Sequence, residues 1–478
     1  METNEGKIDP SLRLSLFVIL SIITILFLGI LLFNVDLHVL LIIALSFSCI
    51  VSYRLGYNFD ELTEGMKKSI SEIMPAMMIF ILIGVIISSW ISSGTVPAII
   101  YYGLQFLNPS LFLPIGLVLC SVTSLAIGTY WGTVGTIGIA LMGMGNGLGI
   151  PAPITAGMII SGAYFGDKMS PISDTTNLAA AASGSDLYDH IKSMAYTTIP
   201  SYIIALIIYA LIGLKYSKGA VNREEIDLLI KTLGSNFNMN PIVFLPMVIL
   251  FTLNIKRVPA VPAMIIGSAT AVIIAVIVQD SYINQVIYSI NYGYSGNTGV
   301  ELVDKLLNRG GIQSMMWTFS LAFIAISLGG VLEHVGYLRT LIGSFIHKIH
   351  SPGLLSIIVI LSTTIGSAAM GEVYLSIILN GNLYKDEFKN KGLKPSMLSR
   401  YLEEGGTLTQ VFIPWSTGGA FVASTLGVGT FEYAPYALLN YINPIVSIIF
   451  SFLGIFVLWE SRPMEKMINL NKSESIQF

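Results

Sequence analysis

Between Glu72 and Asp167 the chain runs for 94 residues without one Asp, Glu, Lys, Arg or His. A water-soluble fold cannot accommodate such a run, because its surface needs charge to stay solvated. Soluble domains carry about 25% charged residues; here the figure is 11% over 478 residues, with 54% hydrophobic residues and a mean hydropathy of +0.75. The solvent implied is the hydrocarbon core of a bilayer. A net charge of -3, with no dense basic patch, gives no ground for expecting nucleic-acid binding. The two cysteines, Cys49 and Cys120, both lie in apolar runs and offer neither a disulfide framework nor metal-ligand spacing. No cofactor is expected.

The first apolar run, Leu14 to Phe33, is long enough to cross about 30 Å as a helix. No small-residue cleavage site follows it, so it reads as a span and not as a removable signal peptide. Further plain spans are expected near 37–53, 73–93, 190–214, 241–255, 259–279, 312–332 and 437–459. Residues 111–148 and 353–383 are apolar but interrupted by Gly-rich, polar stretches, Ile127 to Gly132 and Gly366 to Glu372, and read as re-entrant hairpins. Residues 152–182 and 401–430 are too long and too often interrupted for plain helices. They read as spans unwound around Pro171 and Pro414.

Ile73, Met77, Phe80, Leu82 and Ser88 match Ile312, Met316, Phe319, Leu321 and Ser327 at one offset of 239 positions. The register continues with Thr123-Ser124 against Thr363-Thr364 at 240, and Pro171-Ile172-Ser173 against Pro414-Trp415-Ser416 at 243. Residues 1–214 and 241–460 are therefore expected to be two copies of one unit. An extracytoplasmic linker at 215–240 joins them, its charged part from Asn222 to Thr232 reading as a helix, and a cytoplasmic tail follows at 461–478. A hairpin returns to its own side, so each copy makes an odd number of crossings and the second copy is inverted. The expected fold is an all-α polytopic membrane protein of about 10 crossings in two inverted repeats, each with a re-entrant hairpin and a broken helix. An extra short crossing at 97–108 would break that parity. In this arrangement 18 of the 25 Lys and Arg fall on the side that holds both termini and 6 on the other, which places the termini in the cytoplasm.

Three carboxylates, Asp167, Asp174 and Glu372, remain at membrane depth with one cation, Lys168. An ionisable group there costs about 2.5–3.5 kcal/mol on insertion scales and needs a partner or a function. One reading is structural, an ion pair of Lys168 with Asp167 or Asp174 holding the unwound segment together. The other follows from the company: Ser170, Ser173, Asp174, Thr175, Thr176 and Asn177 crowd hard oxygen donors beside backbone carbonyls freed by the break. Such donors suit a hard cation such as Na⁺. Desolvation favours the protonated form of a carboxyl group, so H⁺ and Na⁺ compete for one site, and that competition is itself an exchange mechanism.

The stretch GAYFGDKMSPISDTTNLA, residues 162–179, closely resembles the signature of NhaC-type sodium/proton antiporters of the ion-transporter superfamily. The likeness in layout extends over nearly the whole chain. Relatives of that family include malate/lactate exchangers coupled to H⁺ and Na⁺ and carriers similar to amino-acid transporters, so it implies ion coupling more firmly than cargo. By this resemblance Asp167, Asp174, Ser173, Thr175 and Asn177 bind the cation or proton, and Lys168 is a charge partner that releases its carboxylate when Na⁺ arrives.

The second half differs, with Gln410, Thr417 and Gly418 standing where the first half has Asp167, Asp174 and Thr175. Ser416 and Thr417 are candidates to complete the site from the second half. Glu372 reads equally as a proton carrier or as a hairpin-tip carboxylate bonded to backbone. Glu403 and Glu404 are expected at the cytoplasmic start of the broken span, where helix N-terminal charge explains them. Tyr130, Trp131, Tyr164 and Trp415 read as packing before pocket, and the glycines at 143, 145, 147 and 149 as close packing, since no strand precedes them. His334, His347 and His350 read as interfacial.

The expected function is a secondary active antiporter exchanging cytoplasmic Na⁺ for external H⁺ by alternating access in the bacterial plasma membrane. The alternative is a Na⁺/H⁺-coupled carrier of a small organic solute, malate, lactate or an amino acid, although no Arg is expected at membrane depth to clamp a carboxylate. Neither a His/Glu metal motif nor a nucleophile elbow occurs, which argues against an enzyme. The partners expected are the lipid bilayer, Na⁺ and H⁺, the organic solute under the alternative, and a second copy of the chain in a homodimer.

Overall fold

The computed structural model describes residues 7–106, 108–217, 223–256, 258–346 and 351–460. The tail at 461–478, His347, His350 and linker residues 218–222 lie outside them. Helices make up nearly all of the rest. Among the described residues, seven are long and apolar enough to cross a bilayer, or up to nine if each of two bent pairs counts as one span.

The chain begins with α1 (Leu12–Leu31) and α2 (Leu37–Tyr53), capped by Ser11 and Asp36. Helix α3 (Phe59–Ser92) starts fourteen residues before the apolar run expected from 73. The cause is a capping box: Glu61 N donates to Asn58 Oδ1 at 2.9 Å and Asn58 N to Glu61 Oε2 at 3.0 Å, which starts the helix well ahead of its apolar stretch. Residues 97–108 contribute α4 (Thr95–Phe106), whose 12 residues fall short of the roughly 20 that span a bilayer.

The first expected hairpin is α5 (Pro109–Ile127), a left-handed break at Gly128, α6 (Tyr130–Thr133), a π-turn at Val134–Gly138 and α7 (Ile139–Gly147). The first broken span is α8 (Ala152–Met169) and α9 (Asp174–Ser183), parted at Ser170–Ser173. Helix α10 (Leu187–Ser217) closes the half. The linker forms α11 (Arg223–Asn236), which buries Leu229 and Leu233.

The second half holds α12 (Leu245–Ile255), α13 (Ala260–Ile277), the short α14 (Ile283–Tyr292) and α15 (Glu301–Leu307), α16 (Ile312–Val335) and α17 (Tyr337–Ile346). Its hairpin is α18 (Pro352–Met370) and α19 (Val373–Asn390), broken at left-handed Gly371. Its broken span is α20 (Pro395–Gly405) and α21 (Thr417–Leu426), followed by α22 (Thr430–Tyr433) and α23 (Leu438–Phe452). The last span is shorter than the expected 437–459. Gly454 and Phe456 adopt positive φ, and the chain turns back to pair Trp459 with Leu393.

The two halves share details that sequence matching touched only in part. Helices α5 and α18 are each 19 residues long and end on a left-handed glycine; α9 and α21 are each 10, start on a serine cap and end likewise. Packing divides the helices differently, into two bundles. Helices α1–α3 pack with α12–α14 and α16, whereas α5, α8–α10, α18–α20 and α23 pack around the breaks. The bundles meet through α16 against α18 and α21, and α3 against the π-turn. Tyr130, Trp131, Tyr164, Phe80 and Phe421 stack at this junction, Tyr130 on Tyr164 at 4.3 Å and Trp131 on Phe421 at 4.6 Å.

Candidate functional site

Helix α8 reaches the site because two glycines let it press against α5. A Cβ at Gly162 would lie 2.6 Å from Leu117 O, and one at Gly166 2.3 Å from Ser121 O. The two glycines of the GAYFG segment are thus a small-xxx-small contact surface. Ser124 Oγ seals the contact by donating to Ala163 O at 2.6 Å. Asp167 and Lys168 follow in the last turn, and the helix stops before Pro171, whose missing N–H cannot continue it.

The break is tied locally. Thr176 Oγ1 donates to Lys168 O at 3.1 Å, and Asn177 Nδ2 to Pro171 O and Ser173 O at 2.9 and 2.6 Å. The carbonyls expected to stand free for an ion are therefore largely occupied by side chains. The carboxylates are not. Asp167 is 1% exposed, and neither of its carboxylate oxygens has a hydrogen-bond partner. Asp174 is exposed, takes the backbone N–H of Thr175 at 2.8 Å on Oδ1, and receives the Tyr374 hydroxyl on Oδ2. Ser173 and Thr175, both buried, hydrogen-bond each other at 3.2 Å beside them.

The second half closes the site from the other side. Glu372 caps α19, its Oε1 accepting Val373 N at 2.8 Å, while Thr417 N donates to Gly371 O at 2.9 Å and ties the hairpin tip to the second break. Thr417 faces Glu372, and the hydroxyl of Ser416 caps α21 by accepting Gly419 N at 3.0 Å. Gln410, the positional counterpart of Asp167, is likewise buried with both side-chain polar atoms unpartnered.

Two expectations are corrected here. Glu403 and Glu404 are not at the cytoplasmic start of a helix: they end α20 and are fully buried. Arg400, counted among the loop cations, is buried as well, with Nη1 donating to Ser193 O and Phe456 O at 3.4 Å and Nη2 to Tyr401 Oη at 3.3 Å. The turn after α23 brings the Phe456 carbonyl to the Arg400 guanidinium. Spacing was the available signal: Arg400, Glu403 and Glu404 stand at i, i+3 and i+4 and share one helix face. Glu403 reaches toward Thr175 and Thr407, and neither of its carboxylate oxygens forms a hydrogen bond.

Lys168 is fully buried, and its partner is neither Asp167 nor Asp174. Its Nζ lies 3.9 Å from Glu404 Oε1, which also accepts Thr197 Oγ1 at 2.8 Å. Glu403 and Glu404 thus lie beside Lys168, while Asp167 and Asp174 neighbour each other and Glu403, and Glu372 neighbours Asp174. Among the described residues no three His, Cys, Asp or Glu side chains converge as a resident metal would require. The aromatics flanking the breaks pack on one another, and Trp415 Nε1 donates to Ala368 O at 2.7 Å.

Apolar helices built around two broken, charge-lined segments define a multi-pass membrane carrier. Comparison with known proteins makes the class specific. The chain belongs to the Na⁺/H⁺ antiporter family, whose model matches residues 162–455 and so begins at the first glycine of the signature stretch. It is 37% identical over 425 residues to the Na⁺/H⁺ antiporter NhaC of Alkalihalophilus pseudofirmus, covering 89% of this chain and 92% of that protein. It is 38% identical over 451 residues to the arginine/ornithine antiporter ArcD of Halobacterium salinarum, covering 93% and 92%. The malate-2H⁺/Na⁺-lactate antiporter of Bacillus subtilis is 36% identical over 424 residues, covering 89% and 91%.

Proposed function

We propose that this chain exchanges cytoplasmic Na⁺ for external H⁺ across the bacterial plasma membrane by alternating access, both ions competing for Asp167 and Asp174. One observation carries the reading: Asp167 is buried with two unpartnered carboxylate oxygens, one break away from Asp174, whose side chain reaches the protein surface. A buried carboxylate in that condition needs a cation or a proton. Asp174 serves as the entry group, with Ser173 and Thr175 supplying hydroxyl oxygens at the mouth. Thr417 and Glu372 approach from the second half, Ser416 holds Thr417 in place as the cap of α21, and Asn177 holds the break in shape.

The matched helix lengths and caps support two inverted units, residues 1–214 and 241–460, joined by the linker at 215–240. With Arg400 removed from the loop count the cationic bias still favours the side of the termini, which supports a cytoplasmic location for both. The names of relatives keep an organic cargo as the second reading. Against it, Arg400 is spent on backbone carbonyls, and cavities of about 650 and 550 Å³ at Ser281–Ser295 and Asn297–Asn308 are lined by no site residue.

The test uses everted vesicles holding a preformed pH gradient. Added Na⁺ collapses the gradient in the wild type and leaves it standing in Asp174→Asn; full activity in that variant removes the site assignment.

A further inference from the structure

Lys168 poses a problem for a cation site. It is the chain neighbour of Asp167, it is fully buried, and its Nζ has no hydrogen-bond partner. The unpartnered carboxylates of Asp167 and Glu403 both belong to the same buried cluster. An ammonium on a flexible four-carbon stem carries the same charge as Na⁺ and is tethered beside the site, so it competes as an internal ligand at high effective concentration. Something has to hold it back.

We propose that Glu404 is a positioning residue that keeps the Lys168 ammonium off the cation-binding carboxylates. The inference rests on the Na⁺ site proposed above. Glu404 Oε1 lies 3.9 Å from Lys168 Nζ, and Thr197 Oγ1 fixes that oxygen with a 2.8 Å hydrogen bond from α10. Glu404 ends α20, so the restraint comes from the second half while Lys168 belongs to the first. Both side chains are shielded from water, where the attraction between unlike charges is strongest and no solvent replaces a lost partner. Arg400, one turn back on the same face of α20, has its guanidinium bonded to Ser193 O, Phe456 O and Tyr401 Oη. It is therefore occupied, and Glu404 remains available to Lys168. With Glu404 neutralised, the remaining carboxylate beside Lys168 is Glu403, which in turn neighbours Asp167 and Asp174, so an ammonium drawn to Glu403 enters the edge of the cation site. The site is then filled from within.

The signature of this role is loss of Na⁺ affinity that a second substitution repairs. In proteoliposomes, Glu404→Gln is expected to raise the apparent KM for Na⁺ by roughly tenfold or more, with a smaller change in maximal rate. Glu404→Asp keeps the charge and is expected to stay near the wild type. The double variant Lys168→Met/Glu404→Gln removes the competitor along with its restraint, and its KM is expected to return to within about threefold of the wild type. A merely structural pair gives the opposite pattern, an unchanged KM with reduced rate in Glu404→Gln and a double variant no better than the single, and either result overturns the proposal. If Glu404→Gln does not fold, Thr197→Val tests the same restraint: a raised KM supports it and an unchanged KM overturns it. A wild type without Na⁺-dependent H⁺ movement defeats the parent reading, whereas an active wild type with these KM values unmoved defeats this inference alone.

Discussion

Asp167, like Glu403, is a buried carboxylate with neither oxygen hydrogen-bonded. Function and stability should therefore move in opposite directions there. Asp167→Asn is expected to abolish Na⁺-driven H⁺ flux while stabilising the detergent-solubilised protein by about 1–3 kcal/mol, seen as a higher melting temperature. Added Na⁺ should raise the melting temperature of the wild type and leave that of Asp167→Asn unchanged, because only a binding-competent native state gains from ligand. Tyr374 presents a milder case. Its hydroxyl bonds the carboxylate of Asp174, and a hydrogen bond to a charged group contributes about 1.5–3 kcal/mol. Tyr374→Phe should change the apparent KM for Na⁺ by roughly tenfold with folding intact; an unaltered KM removes Tyr374 from the site. Asp167, Lys168 and Asp174 were legible in the sequence because they interrupt a long neutral run. Glu403, Glu404 and Arg400 were not, since a dense group of charges reads as a solvated helix end, and only the fold reveals that α20 turns them inward.

At the scale of elements, proline and glycine marked the breaks well: Pro171 and Pro414 interrupt the two spans, and Gly128 and Gly371 adopt the left-handed conformation at the hairpin turns. Helix ends were harder to read. Helix α3 extends upstream because of a capping box, and α23 stops early where the chain turns through Gly454 and Phe456 at positive φ. Neither cause follows from hydropathy. The close approach of α8 to α5 yields a test without changing any charge. Gly166→Leu places atoms where Ser121 O and Leu125 N already stand, and overpacking of this kind costs about 1–3 kcal/mol. Transport should fail with every ionisable residue present, alongside a lowered melting temperature. Ser173 and Ser416 cap equivalent helices, so Ser173→Ala and Ser416→Ala should each cost about 0.5–2 kcal/mol by the same measurement.

In the whole molecule, every charged residue of the site lies on the bundle of α8–α10 and α18–α20, and the bundle of α1–α3 with α12–α14 and α16 contributes none. Alternating access then requires the first bundle to move against the second across the aromatic joint. Phe80 and Phe421 face each other there with ring centroids 5.9 Å apart. In a background lacking Cys49 and Cys120, Phe80→Cys and Phe421→Cys joined by a short bifunctional reagent should stop transport, and a cleavable linker should restore it on reduction. Continued transport in the linked protein would show that the joint does not move. The correspondence of helix lengths and caps between the halves was legible in the repeat offsets, whereas the division into bundles was not, because it groups helices from both halves. On the function proposed above, this carrier moves Na⁺ against H⁺ and nothing else. Purified protein in proteoliposomes, assayed for H⁺ flux and for labelled malate, lactate and arginine with and without a Na⁺ gradient, tests it directly. Na⁺-dependent H⁺ movement in the absence of any organic solute, with no uptake of the labels, is the expected result; H⁺ movement that appears only when one of those solutes is present rules out simple Na⁺/H⁺ exchange.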